Sequence, residues 1–287
     1  MPRASTRPVV LLAVFTAVII VVLTAGYAYA QRGGGFFGAA RGEQGDPPEF
    51  PPDLFPDSNV NACHLLYTSV RAEANGAGWR TDYPWGERHL LMRFSELTKT
   101  RVSWLSEGVP HAWLVRLTDD ALFRCSYVMA SDVGTIGLTP EEAAGLRAYL
   151  EKGGFLWVDD FWGEAAWTQW SRELAKALPP SEFPIEDVPF TDAIFHTMFE
   201  VEAVPQVPSI RFWRATGGAT SERGAESAQA RLRAVRDTRG RIVAVMTHNT
   251  DISDSFEREG EDPQFFYQFS PNGYAIGINI LLYHLTH

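Results

Sequence analysis

The stretch from Thr139 to Gly163 constrains the fold more than any other part of the chain. Thr139 is a good N-cap, Pro140 suits the first helical position, and Glu142 completes a capping box. Ala143, Leu146, Tyr149 and Leu150 then recur on one helical face, and Gly153-Gly154 supplies a left-handed stop. Phe155-Leu156-Trp157-Val158 follows without a polar residue, as a strand buried on both faces requires. It runs into Asp159-Asp160-Phe161-Trp162-Gly163 and a second helix, with Trp167, Trp170, Leu174 and Leu178 on one side, before Pro179-Pro180. A helix, a buried strand and a helix in succession predict a mostly parallel sheet with helices on both faces, an α/β fold.

The rest of the chain extends that pattern. Residues 62–70, 112–117 and 126–130 read as strands, and 85–97 as a helix with Leu90, Leu91, Phe94 and Leu97 on one stripe. Residues 179–225 are Pro-rich and irregular. Residues 230–236 and 241–247 read as a hairpin around Asp237-Thr238-Arg239-Gly240. Ser270-Pro271 is read as the start of a last helix, apolar on nearly all sides and therefore buried. Its two strongly polar inner residues, Asn279 and His284, are expected to hydrogen-bond within the core.

The first thirty residues bear on compartment. Arg3 and Arg7 precede an apolar run broken only by Thr16 and Thr24, and Ala28-Tyr29-Ala30 is a small-x-small pattern. The uncharged stretch 8–31 would rise about 36 Å as a helix, enough to span a bilayer. A cleaved signal peptide and an uncleaved N-terminal anchor both fit, and both export the remainder of the chain. No Cys lies near the cleavage pattern, which excludes a lipoprotein. Residues 31–59 hold six Gly and five Pro and read as a linker, leaving 60–287 as the folded domain. The expected location is the periplasm or the extracytoplasmic face of the inner membrane. Cys63 and Cys125 each begin a predicted strand. They are either a disulfide, if those strands are parallel neighbours, or two buried thiols.

The net charge is −10, and without the first thirty residues 23 basic side chains face 35 acidic ones. Such a surface repels phosphate backbones, so nucleic acid is not an expected partner. The membrane is expected to matter only through the N-terminal segment. No phosphate loop, dinucleotide fingerprint or Gly-x-Ser-x-Gly elbow occurs, and no cofactor is expected.

Chemistry in an open parallel sheet lies beyond the carboxyl ends of its strands. Asp159 and Asp160 fall at one such end and can act as nucleophile, base, metal ligand or substrate hydrogen-bond acceptor, or else cap a helix and pair with Arg. Adjacent strand residues point to opposite faces, so the two are not expected to share a role. His248-Asn249-Thr250-Asp251 follows another buried strand, with Asp254 and Glu257 beyond. It is a turn, an organic ligand site or a set of metal ligands, but it matches no zinc spacing and no metal is assigned. His196, among Phe195 and Phe199, is either a buried core imidazole or a general acid or base. Arg214, in Arg211-Phe212-Trp213-Arg214, either holds a carboxylate or sugar or snorkels from an edge strand. Trp79, Tyr83 and Trp162 add stacking surface.

Five stretches carry a resemblance: Trp79-Arg80-Thr81-Asp82-Tyr83-Pro84, the run Gly153 to Gly163, Val204-Pro205-Gln206-Val207-Pro208, His248-Asn249-Thr250-Asp251, and the closing Tyr283-His284-Leu285-Thr286-His287. In this order they resemble the bacterial family known as domain of unknown function 4159, over roughly residues 60–287. The resemblance implies a flavodoxin-like fold similar to class I glutamine amidotransferases, and no known activity. The family pattern leads one to expect Asp-His-Pro before Ile194-Phe195-His196, where this chain has Thr191-Asp192-Ala193. Where amidotransferases carry a cysteine nucleophile, this chain has Asp-Asp-Phe-Trp-Gly, which excludes thiolate glutamine hydrolysis. The expected function is binding of a small molecule or an envelope protein at the strand ends. The alternative is an envelope hydrolase, acting on carbohydrate or peptide, that uses Asp159 or Asp160 with His196 or His248.

Overall fold

The computed structural model describes residues 46–287. The predicted leader and the first part of the predicted linker lie outside the described residues. Among the described residues no helix is long and apolar enough to cross a membrane.

Seven strands form one sheet: β1 (Ala62–Leu65), β2 (Ala112–Val115), β3 (Tyr127–Ser131), β4 (Leu156–Phe161), β5 (Ile185–Asp187), β6 (Arg231–Arg236) and β7 (Ile242–His248). Their spatial order is β2-β1-β3-β4-β7-β6-β5. The first five in that order are parallel, and β6 and β5 add antiparallel pairings. The chain moves outward from β1 to β2 and then returns to β3 on the other side. That reversal is a topological switch point, where the strand ends of an open parallel sheet leave a crevice.

Helices cover both faces. On one side lie α1 (Trp85–Thr98) and, further along the chain, a long helix Pro263–Thr286, whose apolar residues pack on Ala62, Tyr127, Met129 and Trp157. On the other, α2 (Pro140–Glu151) and α3 (Gly163–Ala177) bury Leu146, Tyr149, Trp170 and Leu174 against Val128, Ala130, Val158 and Met246. The capping box of α2 forms as expected, with Thr139 Oγ1 accepting from Glu142 N–H and Thr139 N–H donating to the Glu142 carboxylate. Gly145 of α2 packs so closely on the chain leaving β2 that an added Cβ would lie 1.9 Å from the Leu117 carbonyl oxygen.

Several boundaries differ from expectation. The first strand ends at Leu65, and Thr68–Ser69 pairs instead with Ile136–Gly137. Arg211–Arg214 lies not on an edge strand but in helix α4 (Ile210–Thr216), capped by the Ser209 hydroxyl. After the short α5 (Asp254–Glu257), the last helix, α6, starts at Pro263 rather than 270. Asp262 caps it through the Gln264 and Phe265 N–H groups, and Pro271 sits inside it. A proline, read as a start, is here tolerated within the helix by its tertiary packing.

Cys63 and Cys125 form a disulfide with Cα atoms 5.7 Å apart, joining β1 to the entry of β3. The described part of the Pro-rich segment, 46–59, packs on the domain. Leu114 N–H donates to the Glu49 carbonyl, Phe55 packs on Trp113, and Val60, just beyond, bridges Val102.

Candidate functional site

At the carboxyl ends of β3, β4 and β7 the chain gathers many acids: Asp132, Asp159, Asp251 and Asp254 are buried, Asp160 and Glu257 half-buried, and buried Asp82 joins them from the turn before α1. Three of them converge from three elements. Single carboxylate oxygens of Asp82, Asp160 and Asp251 all lie within 4.8 Å of one another, and Asp82, Asp254 and Glu257 form a second such group.

The local chain explains the convergence. Opposite β7, the register of β4 slips between the pairs Val158–Met246 and Phe161–His248, so Asp159 and Asp160 together face Thr247. This is a β-bulge, and Asp160 takes φ 48° within it. The expected alternation of faces therefore fails, because it assumes an unbroken strand. Both carboxylates lie near enough to Asp251 to raise its pKa. Asp82 and Asn249 also have positive φ, at 66° and 62°. With Asp132, at 52°, four non-glycine residues at one crevice stand in the left-handed region, conformations sustained only by their surroundings.

The carboxylates have different duties. Asp159 is tied into the framework, accepting from Thr247 Oγ1 at 2.5 Å and Ser253 N–H at 2.8 Å. Burial lifts its pKa to about 6, and those hydrogen bonds hold the rise down. Among the described residues the Asp160 carboxylate accepts only from Trp162 Nε1, at 2.8 Å. Asp82 accepts from Ser131 Oγ at 2.5 Å, and Asp251 from Asp254 N–H at 2.9 Å. Burial first, and then their acidic neighbours, push all three well above the ordinary carboxylate range. Asp132 is lifted to about 7 by burial, opposed by the hydrogen bond it accepts from Gly78 N–H.

Positive charge is scarce at the centre. Arg258 pairs with Asp254 and Glu257 at 3.2 and 3.3 Å, on the outer side. Among the described residues no Lys, Arg or His forms an ion pair with Asp82, Asp160 or Asp251. Beside them the Ser253 hydroxyl is fully buried and makes no hydrogen bond of good geometry. Gly86 keeps this corner open, since a Cβ there would lie 3.3 Å from Asp82 Cβ and 3.8 Å from Ser253 Oγ.

The other sequence candidates lie apart from this triad. His248 faces the α3 side, between the rings of Phe161 and Trp167, with Nδ1 3.2 Å from Arg233 and Nε2 3.3 Å from the Gly163 carbonyl. Burial lowers its pKa to about 4. His196 is neither buried nor near the carboxylates of β4; it is exposed and bonds Glu200 and the Phe190 carbonyl. Arg214 pairs with Glu261 and Asp262 at the start of α6. Asn249 braces the site, accepting from Gly163 N–H and donating to the Gln229 carbonyl. Trp162 is buried and serves Asp160. Trp79 meets Tyr83 edge-on and carries Arg80 over its ring. Sequence reasoning assigned no role to Asp82 or Asp132. Asp132 directly follows β3, and the rule that drew attention to Asp159 applies equally there.

No curated protein matches this chain. A family model does, described as Domain of unknown function (DUF4159) and covering residues 67–285. That match spans most of the chain, and the chain belongs to the DUF4159 family.

Proposed function

We propose that this is an exported binding domain whose strand-end crevice takes a hard divalent cation through Asp82, Asp160 and Asp251. The convergence of two buried carboxylates and one half-buried one, Asp160, without a basic partner carries the reading. Unpaired buried charge is costly, and a bound cation removes the cost. An all-oxygen donor set favours calcium, magnesium or manganese over zinc or copper. Opposed oxygens around calcium stand about 4.6–5.2 Å apart, against about 4.0–4.2 Å for magnesium. Three oxygens within 4.8 Å of one another fall inside the span that calcium bridges.

The hydrolase alternative needs a carboxylate in reach of an imidazole. Asp159 and Asp160 bond to Thr247, Ser253 and Trp162, while both candidate histidines are engaged elsewhere. Export is supported by the predicted leader and by the Cys63–Cys125 disulfide, a bond that persists in oxidising compartments.

The test is calorimetric titration of calcium, magnesium and manganese into the full chain, purified in detergent and stripped with chelator. The expected result is saturable calcium binding that Asp82→Asn and Asp251→Asn each abolish. Absence of binding for all three ions would refute the reading.

A further inference from the structure

We propose that the N-terminal strap, residues 46–57, sets the cation affinity of the crevice, with Glu49 and Tyr83 as positioning residues for Asp82. The inference rests on the cation-binding reading above. Asp82 lies on a short connection between the turn Gly78–Arg80 and helix α1, and the strap grips that connection on both sides of Gly86. On one side, Tyr83, the next residue after Asp82, receives the Glu49 N–H on its hydroxyl at 2.9 Å and donates to the Ala112 carbonyl at 3.0 Å. Its hydroxyl thus clamps strap, connection and β2 at one point. On the other side, Arg88, buried in the first turn of α1, pairs with Asp46 at 3.1 Å and Glu49 at 3.2 Å. The Glu49 carboxylate also meets His111 Nδ1 and accepts from Ala112 N–H at 3.3 Å.

Between these grips the chain is stiff. Gly86 N–H donates to the Asp82 carbonyl at 2.8 Å, and Arg88 N–H to the Pro84 carbonyl at 3.1 Å. A displacement of Tyr83 or Arg88 is therefore passed to Asp82 with little slack. On the crevice side the Asp82 carboxylate is steadied by Ser131 Oγ. Releasing the strap would leave Arg88 buried without its carboxylates, and the first turn of α1 would have to move to hydrate it. Small displacements suffice to weaken a site that depends on three oxygens meeting within 4.8 Å.

The test measures calcium affinity and the chelated thermal midpoint of the full chain for wild type, Tyr83→Phe, Glu49→Ala, Glu49→Gln and Arg124→Ala. Arg124 holds the Asp53 carbonyl at the far end of the strap, away from Tyr83, and reports on loosening alone. Tyr83→Phe, which removes one clamping hydroxyl, is expected to weaken binding about five- to tenfold. Glu49→Ala should weaken it further. Glu49→Gln, which keeps an acceptor for Ala112 N–H, should recover part of the loss. Arg124→Ala should lower the midpoint without changing affinity. Wild-type binding with unchanged affinity in Tyr83→Phe and both Glu49 variants would overturn the coupling and leave the cation site standing. Absence of wild-type binding would overturn both.

Discussion

Replacing Asp160 by Asn should stabilise the cation-free domain, because it removes charge from a place that has too much. Two unit charges no more than 4.8 Å apart repel by at least about 3.5 kcal/mol at an effective dielectric constant near 20. Asp160 faces two such partners, Asp82 and Asp251. Proton uptake relieves part of this, since burial and neighbouring acids raise all three pKa values. A carboxyl whose pKa is raised by folding holds its proton in the folded state, so its contribution is largest below its ordinary value near 4 and is lost as pH rises through the folded value. For Asp159 and Asp132 that loss is complete only near pH 6 and 7. In chelator the wild-type midpoint should therefore fall between about pH 4 and pH 8. Asn keeps the acceptor for Trp162 Nε1 and tolerates the φ of 48°. A net gain of about 3 kcal/mol at pH 8 corresponds to roughly 6–12 °C for a domain of this size. The gain should shrink toward pH 5, and millimolar calcium should reverse the order by stabilising only the wild type. Differential scanning calorimetry at both pH values decides it. An Asp160→Asn variant less stable than wild type at pH 8 in chelator would show that the crevice carries no charge stress.

Two further outcomes concern groups outside the triad. The disulfide closes a separation of 62 residues, so replacing Cys63 and Cys125 by Ala should cost about 4 kcal/mol in denaturant unfolding; a loss under about 1 kcal/mol would mean the bridge adds little. His248 should remain neutral in imidazole NMR titration down to about pH 4, and its contribution to stability, present above the ordinary value near 6.5, should be lost as pH falls through that folded value; titration near 6.5 would contradict its burial between Phe161 and Trp167.

The features legible in the sequence were periodic or local. The capped helix α2, the continuous strand after it and the hairpin of β6 and β7 depend on near neighbours, and each forms where its pattern places it. Asn279 and His284 bond within the core as expected, to Met198, Phe199 and Ser126. The crevice was half legible. Asp159, Asp160 and Asp251 stand at strand ends that pattern alone locates. Asp82 comes from a turn far along the chain, and nothing in Thr81-Asp82-Tyr83 announces that it will meet them. The bulge was equally hidden, because its cause is the pairing with β7 rather than the residues of β4. His248 and His196 drew attention by residue type, and packing against Trp167 and bonding to Glu200 give them other work.

The strap also bears on where the chain can be cut. β2 is the outermost strand on its side, and its Ala112 and Leu114 N–H groups are occupied by Glu49. The opposite margin, β5, is only three residues long and carries Glu186 and Asp187 against Arg231, Arg233 and Arg236. One margin is thus guarded by charge and brevity, the other by a segment that composition alone would discard as a spacer. A polypeptide begun at residue 60 would present β2 with open donors to any neighbouring molecule, and self-association in such a truncation would reflect the missing guard and not a native oligomer.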